Sequence, residues 1–153
     1  MPRGDLKTFQ YYPFNAGKKL YDNVNDSFKY AIINDTYASV LASTVDPTLV
    51  TFTEAAAGGN YAAGGNSLPG NAWTIGIVAA GVVGLDVTDI SMLKAAGNPT
   101  TGKTLLMNNF TAGERCYHAV DLTVDGTTAV DLVNNDLTVT LSANGTVNVT
   151  VTA

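Results

Sequence analysis

The chain reads as all-β: an antiparallel β-sandwich, jelly-roll or immunoglobulin-like, with an extended N-terminal arm and at most one short helix. Three observations carry that reading. Of 153 residues 46% are hydrophobic but only 14% charged, with fifteen glycines and an abundance of Thr, Val, Ala and Asn. An average soluble domain carries roughly 25% charged residues, and a helical protein would need far more Glu, Lys and Leu. The C-terminal residues alternate apolar and polar with period two, which marks a strand with one buried and one wet face. Turn dipeptides punctuate the alternation.

Residues 1–25 read as an arm and 26–153 as the sandwich domain. The arm concentrates aromatics: FQYYPF places Phe9, Tyr11, Tyr12 and Phe14 within six positions. Aromatic side chains carry large apolar area, so this segment either packs on its own domain or lies on a neighbouring subunit. SFKYAIIND (27–35) reads as a strand, with Phe28, Tyr30 and Ile32 facing one way and Lys29 and Ala31 the other. LVTFTE (49–54) is a further candidate strand. EAAAGGNYAAGGNSLPGN (54–71) has five glycines and no periodicity, and reads as an ordered surface connector. Trp73 to Val83 predicts a buried strand, or a pair broken near Gly81. DISMLKAA (89–96) is compatible with a short capped helix or a strand.

HAVDLTV (118–124) reads as a strand ended by Asp125-Gly126. The final stretch, LTVTLSANGTVNVTVTA, places Leu137, Val139 and Leu141 on one face and Thr138, Thr140 and Ser142 on the other. Asn144-Gly145 supplies a tight turn, and Val147, Val149 and Val151 continue the apolar face.

Charge restricts the partners. The net charge is −5, which argues against a general nucleic-acid binder. Residues 1–30 hold five basic side chains against three acids, +2, whereas the remainder holds three against ten, −7. A mildly basic leading segment thus precedes an acidic body. The N-terminal residues are too polar for a signal peptide. The longest apolar run, Trp73 to Leu85, is thirteen residues, short of the ~20 needed to span a membrane as a helix. The expectation is a soluble chain made in the cytosol, whose Asn-x-Ser/Thr triplets at Asn25, Asn34, Asn109, Asn144 and Asn148 are composition.

Four motifs invite chemistry. GNPTTGKT (97–104) matches the P-loop pattern letter for letter, but that loop works only between a buried strand and a helix. Here a helix after Thr104 is broken within a few residues, so the eight residues read as a turn joining two strands. Cys116 and His118 would share a strand face. With no other Cys or His in the chain they fall short of a zinc site's three or four ligands, and read as structural. Asp121, Asp125, Asp131 and Asp136 lie close in sequence without EF-hand spacing; they read as turn and surface acids, with calcium as the lesser alternative. Arg3-Gly4-Asp5 matches an integrin tripeptide, with nothing else pointing to an animal extracellular setting. The expectation is no cofactor, no metal and no catalysis.

FNAGKKLYDNVNDSFKYAIINDTY followed by GGNYAAGGNSL resembles a group of short structural proteins of tailed-bacteriophage virions. There an x-D-x-x-K-x-A-[IL]-[IL]-x-x-x-Y strand precedes a G-x-Y-x-x-G-G-x-x-L element. The matching residues are Asp26, Lys29, Ala31, Ile32, Ile33 and Tyr37, then Gly59, Tyr61, Gly64, Gly65 and Leu68. The resemblance implies a β-sandwich assembled in many copies on a particle, without enzymatic activity. The expected function is head decoration, or cement: binding the outer capsid surface as a dimer or trimer and reinforcing contacts between major capsid subunits, with no nucleic-acid or membrane partner. Its expected location is the capsid exterior, after synthesis in the host bacterial cytoplasm. The expected contact residues are Arg3, Lys7, Phe9, Tyr11, Tyr12 and Phe14, with Asn60 and Tyr61 in the glycine-rich segment. Deleting residues 1–14 is then expected to abolish particle binding with the fold intact. The alternative is a tail tube, fibre or host-recognition module, including a glycan-binding adhesin; Trp73, inside an apolar run, argues against exposed aromatic glycan contacts.

Overall fold

The computed structural model describes residues 3–11, 15, 18, 22, 25–43, 46–68, 73–79, 82–141 and 147–153. Strands dominate, as the composition predicts. A five-stranded antiparallel sheet has the order β1 (Leu6–Thr8), β8 (Arg115–Asp121), β7 (Thr104–Asn109), β2 (Phe28–Ile33), β3 (Asn66–Ser67). A three-stranded antiparallel sheet has the order β10 (Val147–Thr152), β9 (Asp136–Leu141), β6 (Ile90–Met92). β4 (Trp73–Ala79) and β5 (Val82–Val87) pair with each other as a separate two-stranded ribbon. The apolar run at 73–83 is therefore broken into two paired strands rather than being one.

The two larger sheets enclose the main core. Phe28, Tyr30, Ile32, Leu105, Met107, Tyr117 and Val120 face Ile90, Met92, Leu137, Val139, Leu141 and Val149, all buried. The β9–β10 register sets Val139 opposite Val149 and Leu137 opposite Val151, with Thr138 opposite Thr150 on the other face. This is the alternation legible in the sequence; the expected Asn144-Gly145 turn lies outside the described residues. Within segment 89–96 only Ile90–Met92 is regular, and it is a strand, because Ile90 and Met92 are buried on either side of exposed Ser91 and pair with β9.

The five-stranded sheet has no wet face over most of its width. Its outer side carries a second apolar layer in which Ala31, Ile33, Leu106, Cys116 and Ala119 are covered by Phe9, Tyr37, Val40 and Leu49. Tyr37 and Val40 belong to a short helix, α1 (Tyr37–Leu41), whose N-cap Thr36 accepts a hydrogen bond from Ser39 N–H. Five residues do not sustain a helix in water, so burial of these two side chains holds it in place.

LVTFTE is not a strand. Leu49–Thr51 is a 3-10 turn, secured by Thr48 N–H donating to Thr51 Oγ1. Isolated bridges stitch its flanks to the sheet, Thr48 with Arg115 and Glu54 with Ile33. The outer layer needs a turn here to bury Leu49 and return the chain along β2. The leading segment is built into the fold: β1 pairs with β8, and Phe9, 1% exposed, is part of the outer apolar layer. Over residues 6–9 it packs on its own domain. Among the described residues no helix is long and apolar enough to cross a membrane.

Candidate interaction surface

The glycine-rich segment is ordered by one carboxylate. Gly64 and Gly65 both take positive φ, +76° and +82°, a conformation that side chains resist. Their successive N–H groups then point at one place. Glu54 Oε1 fills it, accepting from Gly64 N–H at 2.8 Å, Gly65 N–H at 3.1 Å and the Tyr61 hydroxyl at 2.7 Å. The same hydroxyl oxygen accepts Ile32 N–H at 2.9 Å, tying the loop to the centre of β2. Burial pushes the Tyr61 phenol well above its ordinary pKa, and the bond to Glu54 pushes it further. Glycine at 65 is also required by space, since a β-carbon there would come within 2.5 Å of the Tyr30 carbonyl. G-x-Y-x-x-G-G is thus an internally satisfied nest.

That arrangement corrects one expectation. Tyr61, expected as a contact residue, is 2% exposed and is spent inside the domain. Asn60 is exposed, but its amide donates to the Leu93 carbonyl and its N–H to Asn98 Oδ1. Phe9, also expected at an interface, is likewise a core residue, because β1 aligns it over β8 with Phe52 at 6.5 Å between ring centroids. Tyr12 and Phe14 lie outside the described residues.

Besides Asn60, three of the expected residues remain at least partly at the surface. Arg3 Nε donates to the Leu122 carbonyl at 2.7 Å. Lys7 Nζ donates to the carbonyls of Val40 and Leu41 at the end of α1 and sits 4.9 Å from the Phe9 ring centroid. Tyr11 is 38% exposed. The outer layer adds two side chains that the sequence did not single out, Leu41 at 39% and Val50 at 83% exposure. Leu41 ends α1, and Val50 is thrown outward by the 3-10 turn that buries Leu49. An Arg115–Asp46 ion pair, with Asn15 Nδ2 donating to Asp46, ties the segment before the 3-10 turn to β8. Leu93, Phe110 and Val124 are exposed elsewhere.

The apparent chemical motifs resolve as follows. GNPTTGKT links β6 in one sheet to β7 in the other and runs into a strand, so the loop–helix geometry that cradles phosphate is not formed. Its asparagine does structural work: buried Asn98 accepts from Asn60 N–H and donates to the carbonyls of Leu93 and Leu132. Cys116 and His118 do not share a face. A register shift opposite Met107 and Asn108 leaves Tyr117 as the extra residue of a bulge. Cys116 consequently lies in the outer layer, while His118 pairs with Thr8, on the side where Leu6 and Val120 face the main core. Thr8 Oγ1 and His118 Nδ1 are 3.0 Å apart. Burial pulls the His118 pKa down to about 4, partly opposed by a hydrogen bond to the Lys7 backbone. Burial pushes the Cys116 thiol up, with Glu114 adding to it.

Three of the four acids of 121–136 serve their own turns, and the fourth, Asp136, ties the start of β9 to the segment after β6. Asp125 accepts from Thr127 N–H, Thr128 N–H and the Thr128 hydroxyl, bonds that hold its carboxyl well below the usual range. Asp131 accepts from Val133 N–H and Asn134 Nδ2, and Asp136 from Lys94 N–H. Asp121 Oδ1 accepts from Thr123 N–H and its hydroxyl. Among the described residues no group of three or more His, Cys, Asp or Glu is placed to hold a metal ion. Comparisons with protein-family models, curated proteins and solved structures return no match for this chain.

Proposed function

We propose that this chain is a bacteriophage head decoration protein, one that attaches to the outer capsid surface and reinforces contacts between major capsid subunits, itself as a dimer or trimer. The observation that carries the reading is the outer layer. Polar bonds within the glycine-rich nest and the acidic turns are spent internally, whereas Leu41, whose carbonyl accepts from Lys7 Nζ, and Val50 stand exposed on the elements that bury Val40 and Leu49 in the outer layer, and Tyr11 is exposed two residues beyond buried Phe9. Exposed apolar side chains with an aromatic and a cation nearby have the chemistry of an interface core. A modest contact of this kind gains strength when repeated over a shell. The phage-protein resemblance of 26–37 and 59–68 supports the same reading.

Copy number separates head from tail. Quantified gel bands of purified virions should give hundreds of copies per particle; tens or fewer would favour the tail tube, fibre or host-recognition alternative. Deleting residues 1–14 is not the clean test of the surface, because it removes strand β1 and buried Phe9. Substitution of Tyr11, Leu41 and Val50 by Asp leaves both in place. Co-sedimentation with capsids should be lost in that variant while its thermal unfolding stays within about 6 °C of the parent, since surface substitutions shift stability by ~0.5 kcal/mol or less each. Undiminished co-sedimentation would overturn the assignment of this surface.

A further inference from the structure

We infer that Asp5 and Asp121 form a binding site for a hard divalent cation of the calcium class, at the β1–β8 edge of the five-stranded sheet. The register brings together two acids 116 positions apart in sequence. Leu6 pairs with Val120 and Lys7 with Ala119. One step outward the pairing ends in a bulge in which Gly4, at φ +92°, and Asp5 together face Asp121: Asp121 N–H donates to the Asp5 carbonyl at 3.0 Å and the Asp121 carbonyl accepts Gly4 N–H at 2.8 Å. Asp5 keeps the alternation of β1, so its side chain leaves the strand on the same face as that of Asp121, where like charges oppose each other. The face is the outer one, because Ala119 and Phe9, two and four positions along, belong to the outer apolar layer.

Asp121 is fully buried, and only one of its oxygens is satisfied. Oδ1 accepts from Thr123 twice; Oδ2 has no hydrogen-bond partner. Neither Asp5 nor Asp121 forms an ion pair among the described residues. A buried carboxylate without a compensating charge is strongly disfavoured, and a second carboxylate beside it makes matters worse. Tyr37, buried on α1, belongs to the same outer layer. A hard cation answers each of these features. It takes carboxylate oxygens as ligands, neutralises both acids and keeps water in its remaining positions. Asp5 is half-exposed, which leaves an entry path from solvent. The site is separate from the Asp125 and Asp131 turns, whose oxygens are already engaged, and it does not depend on the capsid reading.

The test uses the full chain, dialysed against chelator and titrated with CaCl2, against NaCl matched for ionic strength. Thermal unfolding reads the result. At a hundredfold excess over the dissociation constant the midpoint should rise by about 5–10 °C, saturably, and beyond the NaCl control. Asp121→Asn keeps the acceptor for Thr123 and should abolish the rise. Should that buried variant fail to fold, Asp5→Asn at the half-exposed position carries the same expectation. A calcium response no larger than that to NaCl, or one retained in Asp5→Asn, would overturn the inference.

Discussion

Tyr61→Phe removes one oxygen atom and should cost a large share of the stability. That oxygen accepts Ile32 N–H at 2.9 Å and donates to Glu54 Oε1 at 2.7 Å. Ile32 is fully buried in β2, and Tyr61 is nearly so. The substitution therefore deletes a neutral hydrogen bond worth ~1 kcal/mol and a bond to a charged group worth ~1.5–3 kcal/mol. It also strands a buried backbone N–H, whose desolvation is part of the same cost. Because Glu54 keeps the N–H groups of Gly64 and Gly65, the loop itself should persist. The net expectation is a loss of about 2–4 kcal/mol, from a total that for a domain of this size is ~5–15 kcal/mol. Urea unfolding followed by circular dichroism should show a lower midpoint with an unchanged slope. The thermal midpoint should fall by about 5–15 °C. A loss below 1 kcal/mol would mean that the nest does not anchor the loop to β2, and the structural account of G-x-Y-x-x-G-G would fail with it.

Asn108 is fully buried and neither of its amide atoms has a partner, so Asn108→Leu should leave stability equal or raise it by up to ~2 kcal/mol; a loss above 1 kcal/mol in urea unfolding would contradict this. Gly102→Ala would set a β-carbon 2.3 Å from Ile32 Cγ2, and the overpacking should cost ~1–3 kcal/mol, visible as a lower thermal midpoint. His118 has its folded pKa lowered from 6.5 to about 4. The unfolded chain therefore binds the extra proton first, so the contribution is full above pH 6.5 and is lost as pH falls towards 4, by up to about 3 kcal/mol. Stability measured from pH 7 to 4 should fall more steeply in the parent than in His118→Gln, and parallel curves would remove the role. Calorimetric titration with Mg-ATP should give no binding heat, and binding that disappears in Lys103→Ala would restore the P-loop reading.

Local patterns reached as far as the elements and stopped at their neighbours. The alternation of Leu137, Val139, Leu141 and Val147, Val149, Val151 specifies β9, β10 and their buried face, because side chains on a strand alternate without reference to the rest of the fold. Phe28, Tyr30 and Ile32 mark the inner face of β2 for the same reason. The G-x-Y-x-x-G-G spacing was legible as a motif, but its acceptor, Glu54, was not, since nothing local ties a carboxylate to glycines ten residues on. Val50 hid inside a stretch that alternates like a strand; only the 3-10 turn demanded by the outer layer turns it outward.

The amino-acid sequence alone determined the class of the protein: poor in charge, rich in β-branched residues and alternating, it can bury its apolar surface only by stacking sheets. Tertiary structure alone decided which residues are left for partners. Pairing β1 with β8 consumed Phe9, the Ile32 contact consumed Tyr61, and a single bulge at Tyr117 sent Cys116 and His118 to opposite sides. The same pairing set Asp5 against Asp121. Registers between distant strands are chosen by the packing of the whole core, which no short window of residues contains.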